Sequence, residues 1–153
     1  MSLSKYYSFG RIKNLLFLKL SHLPMPGHGI RPRFVSLGGV NFSNPRSSFV
    51  GENVHFDTVA PNKIHIGERC VITTGVIILT HYQNAKTGKW YQGNVYIGNG
   101  TFIGANTIIC KDVSIGDNVL IGAGSIVTKN IPDNEVWAGN PARFIRKREN
   151  ISL

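Results

Sequence analysis

Only two cysteines, Cys70 and Cys110, occur in 153 residues, 40 positions apart and with no CxxC pair. That excludes a disulfide framework and points to a reducing compartment. No apolar run approaches the roughly 18–20 residues of a membrane span. The short run at 15–20 is broken by Lys19, and no small-residue cleavage site follows, so it does not read as a secretory signal. Cytoplasm is the expected compartment. Charged residues are few at 16% against 42% hydrophobic, which excludes a disordered chain. Aromatic and basic residues are not interleaved into stacking platforms, which argues against a nucleic-acid partner.

Acid is scarce as well: eight Asp and Glu face 17 Lys and Arg, a net charge of +9. The imbalance sits at the ends. Residues 1–33 carry six basic groups and no acid, residues 34–142 carry seven of each sign, and residues 143–153 carry four basic groups against Glu149. A neutral body with two basic ends suits a polyanionic ligand or an anionic membrane surface. Seventeen glycines and seven prolines are spread along a chain of one-domain length, which suggests many turns rather than a linker.

What is abundant is a period of six. From Ile97 the chain cuts into IGNGTF, IGANTI, ICKDVS, IGDNVL, IGAGSI and VTKNIP. The first column (Ile97, Ile103, Ile109, Ile115, Ile121, Val127) is aliphatic throughout. The fourth (Gly100, Asn106, Asp112, Asn118, Gly124, Asn130) holds only residues that tolerate positive φ at a tight corner. The fifth (Thr101, Thr107, Val113, Val119, Ser125, Ile131) is small or β-branched. Neither a helix nor a simple strand produces a strict six. A short strand and a sharp corner do, with first and fifth positions inward; three such faces close a triangular coil, and the coils stack as parallel strands in a solenoid. Spacing alone leaves the hand of the coil open.

Upstream, VGENVH, IGERCV and ITTGVI continue the repeat, with a further start at Ile78. Two interruptions break it: four extra residues before Ile66 and 13 before Ile97. The longer insertion predicts a loop thrown out of the prism at about 80–94, where function tends to concentrate. It opens Thr80-His81-Tyr82 and carries Lys86, Lys89, Trp90 and Tyr91. Counting faces puts Asp57 and His81 on one face in adjacent layers. A carboxylate beside an imidazole fixes its tautomer and raises its basicity, as a general base needs, so both are candidate catalytic residues. Asp57 equally suits the plain role of a corner residue.

The other histidines are less informative: His22 and His28 lie outside the repeat, and His55 and His65 occupy strand positions. A zinc site needs three converging ligands, and no histidine follows His81, so no metal is expected. Cys70 falls in the small inward column and is explained by packing. Cys110 lies near a corner without a functional reading. Trp90 suits either a sugar-stacking platform or a hydrophobic pin for its own loop, and the pin is the sequence-level expectation. Residues 5–23 read as a helix with Ile12, Leu15, Leu16, Leu20 and Leu23 on a broad apolar face and Lys13 and Lys19 off it. Packing within an oligomer is the favoured use of that face, and peripheral contact with an anionic membrane is the alternative.

Over roughly residues 50–147, and most specifically from IGNGTF to the closing IGAGSIVTKNIP and AGNPARFIRK, the chain resembles the hexapeptide-repeat acyltransferases. The resemblance implies an all-β, left-handed parallel β-helix with a short N-terminal helical segment: residues 1–33 basic and helical, 34–142 the catalytic β-helix, 143–153 a basic tail. It implies a homotrimer with active sites shared between neighbours and acetyl-CoA lying along the cleft. His81 matches the loop histidine that deprotonates the acceptor hydroxyl in galactoside and maltose acetyltransferases. Asp57 falls where those enzymes usually carry asparagine, leaving open whether it orients His81 or binds acceptor. Ala105 and Ala123 would line the pantetheine arm, Thr128 and Lys129 the lower co-substrate, and Arg143 and Arg146 its phosphates. Residues 1–33 are too few for the helical domain of serine acetyltransferases, and the small extra domain of many sugar-nucleotide N-acetyltransferases is missing. The expected activity is therefore O-acetylation of a sugar hydroxyl, in capsular or other surface polysaccharide synthesis, with Trp90 and Asp57 as acceptor contacts. Amino-sugar N-acetylation, a non-catalytic scaffold and a zinc hydratase on the same fold are the rival readings.

Overall fold

The computed structural model describes residues 9–110 and 112–149. Among the described residues two helices, α1 (Phe9–Leu20) and α2 (Arg31–Leu37), precede a three-sided prism of short strands. The first coils use β1 (Asn41–Phe42), β2 (Phe49–Val50), β3 (His55–Phe56), a one-turn 3-10 helix (Pro61–Lys63), β4 (Ile64–Ile66), β5 (Val71–Ile72) and β6 (Ile77–Ile78). A hairpin of β7 (His81–Gln83) and β8 (Trp90–Gln92) interrupts the winding. It resumes with β9 (Val95–Ile97), β10 (Phe102–Ile103), β11 (Ile108–Ile109), β12 (Val113–Ile115), β13 (Leu120–Ile121) and β14 (Ile126–Val127). The last strands are β15 (Glu135–Ala138) and β16 (Arg143–Lys147).

Each face of the prism is one sheet: β1-β4-β9-β12, then β2-β5-β10-β13-β15-β16, then β3-β6-β11-β14. Every neighbouring pair in these sheets is parallel except β15–β16, where the chain folds back antiparallel over the end of the prism. The first column of the repeat forms the axis of the core: Ile103, Ile109 and Ile121 are fully buried, and Ile97, Ile115 and Val127 nearly so. The fifth column also points inward, and its hydroxyls donate to corner carbonyls, as Thr101 does to Gly116 at 2.9 Å. Burying each isoleucine contributes roughly 1.5–3 kcal/mol, so the stack of coils is the main source of stability.

The corners turn where φ is positive: Gly100, Asn106, Asp112, Asn118 and Gly124 of the fourth column all lie there, between 51° and 70°. The sixth member departs. Asn130 instead accepts the Ser114 N–H on Oδ1 at 2.8 Å, and the positive φ falls at Asn134, because the chain is leaving the prism. Coils approach so closely that a Cβ on Gly104 would sit 2.5 Å from the Ala123 nitrogen, which requires glycine there.

Three expectations need correcting. Helix α2 crosses the expected boundary at residue 34, so the prism starts at Asn41. Residues 143–147 are a paired strand, β16, not a tail. Helix α1 spans Phe9–Leu20, while residues 5–8 of the expected helix lie outside the described residues. It packs on the body through Leu18; of the expected apolar face, Leu15 and Leu20 are half-buried while Ile12, Leu16 and Leu23 are each about half exposed. Among the described residues no helix is long and apolar enough to cross a membrane.

Candidate active site

The third sheet ends at one corner of the prism, and the inserted hairpin leaves from that corner. Phe56 pairs with Ile78 in parallel register, so Asp57 follows β3 one layer below the residues that follow β6. The backbone N–H of Asp57 donates to the Ile78 carbonyl at 3.0 Å, which fixes the aspartate at the hairpin's root. Its carboxylate is almost sealed from solvent, with the side chain 2% exposed. Oδ1 accepts the Val59 N–H at 2.8 Å, a local Asx turn. Oδ2 accepts both the backbone N–H and the hydroxyl of Thr80, each at 2.7 Å, and contacts Nδ1 of His81 at 2.6 Å.

Burial works to raise the Asp57 pKa, but the hydrogen bonds from Thr80, Val59 and His81 outweigh it and hold the group below the usual carboxylate value. Asp57 is therefore ionised near neutral pH and can only accept. The proton between it and His81 belongs on Nδ1, and a neutral imidazole then presents its lone pair at Nε2. The His81 side chain is 31% exposed, so the ring is partly open to solvent.

The hairpin continues the site outward. His81 pairs with Gln92, Tyr82 with Tyr91 and Gln83 with Trp90, and the two tyrosine rings stack with centroids 5.5 Å apart. Its turn is held by Asn84, whose Oδ1 accepts the Lys86 and Thr87 N–H groups at 2.9 and 3.1 Å. The Trp90 ring lies 5.7 Å from the His81 ring, tilted by 36°. Trp90 is 67% exposed, so it is not the buried pin that the sequence suggests.

The remaining candidates do not gather in one protomer. Ala105 and Ala123 follow β10 and β13, at the corner between the second and third sheets and not at the His81 corner. They are stacked one coil apart, with the Gly124 N–H donating to the Ala105 carbonyl at 2.8 Å. Thr128 and Lys129 are exposed and lie along the His81 corner, two coils on, since Ile78, Ile109 and Val127 are in register. Arg143 and Arg146 are exposed on β16, their guanidinium groups 3.0 and 3.1 Å from the carbonyls of Ala142 and Lys147.

Two residues of the region escape a reading of the sequence. Thr80 is fully buried and gives Asp57 two of its four donors; its place next to His81 and one layer above Asp57 is the available signal. Arg148 reaches back over the prism to the carbonyls of Val119 and Gly100, at 2.9 and 3.3 Å, which nothing in a basic run reveals. Among the described residues no group of three or more His, Cys, Asp or Glu is placed to hold a metal.

Comparison with known proteins agrees with this architecture. The family model described as bacterial transferase hexapeptide (six repeats) matches residues 94–129. Protein CapG of Staphylococcus aureus is 40% identical, the match covering 88% of this chain and 78% of CapG. Galactoside O-acetyltransferase of Escherichia coli is 35% identical over 77% of this chain and 66% of that enzyme. Among solved structures, a galactoside acetyltransferase in complex with coenzyme A superposes with a TM-score of 0.67, at 26% identity, over 97% of this chain and 84% of that one. A maltose O-acetyltransferase from Clostridium difficile does so with a TM-score of 0.66, at 28% identity, over 92% of this chain and 87% of that one. The prism is thus a left-handed parallel β-helix, and the chain belongs to the hexapeptide-repeat acyltransferases.

Proposed function

We propose that the protein transfers the acetyl group of acetyl-CoA to a sugar hydroxyl, with an acceptor drawn from capsular or other surface polysaccharide synthesis in the cytoplasm. The observation that carries this reading is the 2.6 Å contact between His81 Nδ1 and the buried Asp57 carboxylate at the root of an exposed hairpin. Bound acetyl-CoA supplies an activated thioester. His81 Nε2 takes the hydroxyl proton as the sugar oxygen attacks the thioester carbon, and returns it to the departing thiolate. Asp57 orients the ring and stabilises the transient imidazolium, and does not itself change protonation. With both of its oxygens engaged by Val59, Thr80 and His81, Asp57 serves as the orienting partner rather than an acceptor contact.

The separation of His81 from Ala105 and Ala123 supports a homotrimer with the site shared across an interface. The outer faces of the second and third sheets fit that assembly. They present half-buried Val71, Phe102 and Leu120, and Ile77, Ile108 and Ile126, whereas the first sheet presents Asn41, His65, Tyr96 and Ser114. In such a trimer the corner of Ala105 and Ala123 from one copy faces His81 of the next, and its backbone N–H groups are positioned for the developing oxyanion. Exposed Lys129, Arg143 and Arg146 have the chemistry for the co-substrate's phosphates. Trp90, beside His81 and open to solvent, fits a stacking platform for the sugar ring.

The reading is tested by thioester cleavage against a panel of sugars and nucleotide sugars, followed by product analysis. An alkali-labile acetyl ester supports it. An alkali-stable amide would replace it with amino-sugar N-acetylation, and no cleavage with any acceptor alongside no CoA binding would favour the scaffold.

A further inference from the structure

Helix α1 turns its most apolar stripe away from the protein. Phe9, Ile12, Leu16 and Leu20 recur at the spacing of one helical face. Phe9 is 85% exposed, and Ile12 and Leu16 are 52% and 53% exposed. The opposite side holds the helix to the body: Leu18 is buried, and Phe17 packs on Phe34 of α2 with ring centroids 6.1 Å apart. At 100° per residue Lys13 and Lys19 fall on the two flanks of the outward stripe, and both are exposed. The charge around it is one-sided. Residues 1–51 contain seven Lys and Arg and no Asp or Glu. Arg31 is used inside, donating to the carbonyls of Ser21, Val50 and Met25, while Lys13, Lys19, Arg33 and Arg46 face solvent.

From this arrangement we infer that α1 is a docking surface for an anionic lipid bilayer, lying in the interface with its apolar stripe among the acyl chains. Lysines on both flanks can extend their stems along the apolar layer and place their ammonium groups among lipid phosphates. A second copy of the chain pairing through the same stripe would set lysine against lysine, with no carboxylate in the first 51 residues to relieve it. An anionic surface supplies the missing charge. The inference does not depend on which acceptor the enzyme uses.

The test is co-sedimentation of the full chain with vesicles of phosphatidylcholine alone and of phosphatidylcholine mixed with phosphatidylglycerol. Binding to the mixed vesicles, lost in high salt and absent from pure phosphatidylcholine, is the expected result. Replacing both lysines (Lys13→Gln with Lys19→Gln) should weaken it about 25-fold, at roughly fivefold per basic residue. Ile12→Ser with Leu16→Ser should abolish it while thermal unfolding and sedimentation velocity stay unchanged. Equal binding to both vesicle types, or no loss in the lysine variant, overturns the inference. So does a serine variant that keeps vesicle binding but falls to a smaller species, since the stripe would then be covered by another copy. Should the serine variant fail to fold, the lysine variant, altered only at exposed positions, decides alone.

Discussion

Asp57 accepts hydrogen bonds from a backbone amide two residues on, from a threonine one layer above, and from the His81 ring. An asparagine in its place would keep the size but set an NH₂ group or a weaker carbonyl acceptor against donors on both sides. Asp57→Asn should therefore lower kcat strongly while leaving the KM for acetyl-CoA within about twofold, since no proposed CoA contact involves it. Its lowered pKa makes a linked prediction. The folded state holds the proton more weakly than the unfolded chain, so the carboxylate contributes stability at pH values above the ordinary carboxylate range. That contribution is lost as the pH falls toward the depressed folded value. His22 acts in the same sense at higher pH. Burial, then His55 and Arg31, lower its pKa, so the folded state resists the proton that the unfolded chain accepts. Stability should begin to fall as the pH drops below 6.5, the value for an unperturbed histidine. A His22→Gln variant should flatten that part of a urea-denaturation pH series and leave the acid limb from Asp57 in place. The two thiols differ as well. Burial pushes Cys70 up to about 11, so native protein should take up a thiol reagent at half-buried Cys110 and not at Cys70, as read by peptide mass mapping.

At the scale of the element, stability resides in the stacked coils and the proposed chemistry in what interrupts them. Ile109 is fully buried in the third sheet, and Ile109→Ala should cost about 2–5 kcal/mol in equilibrium unfolding. The coils are legible in the sequence because a six-residue period leaves its mark in every column, and the axis from Ile97 to Val127 is inward throughout. The same count of faces puts Asp57 beneath the hairpin root, and the contact with His81 lies there. The hairpin itself is legible only as a length. Nothing in 13 extra residues says that Tyr82 and Tyr91 pair across two strands, nor that Trp90 stays in solvent beside the imidazole. Helix α1 is legible only in part for a related reason. Periodicity reports a face, while which face is buried depends on Leu18 meeting α2 and the loop after it, a tertiary fact. The fold-back of β16 on β15 is hidden too, because an antiparallel strand of Arg, Phe, Ile, Arg and Lys looks locally like any basic end.

Considered whole, one protomer has His81 and Asp57, proposed as base and orienting partner, at one corner and the corner proposed for the thioester at another. The proposed trimer joins them, and the aliphatic outer faces of two sheets are what would hold it. Ile108→Glu on the third sheet should yield a folded, smaller species by sedimentation velocity that has lost transfer activity. Mixing protomers adds a second check. His81→Ala copies co-assembled with copies disabled at the Ala123 corner should recover part of the activity that either lacks alone, because some interfaces then pair two intact corners. The measurement that bears most directly on the chemistry is the acetyl-transfer rate of a folded His81→Ala protein under saturating acetyl-CoA and acceptor. A loss of roughly 10²–10⁴ in turnover, with CoA affinity and thermal stability retained, is the expected result. Turnover equal to that of the unaltered enzyme would contradict the assignment of His81 as the base.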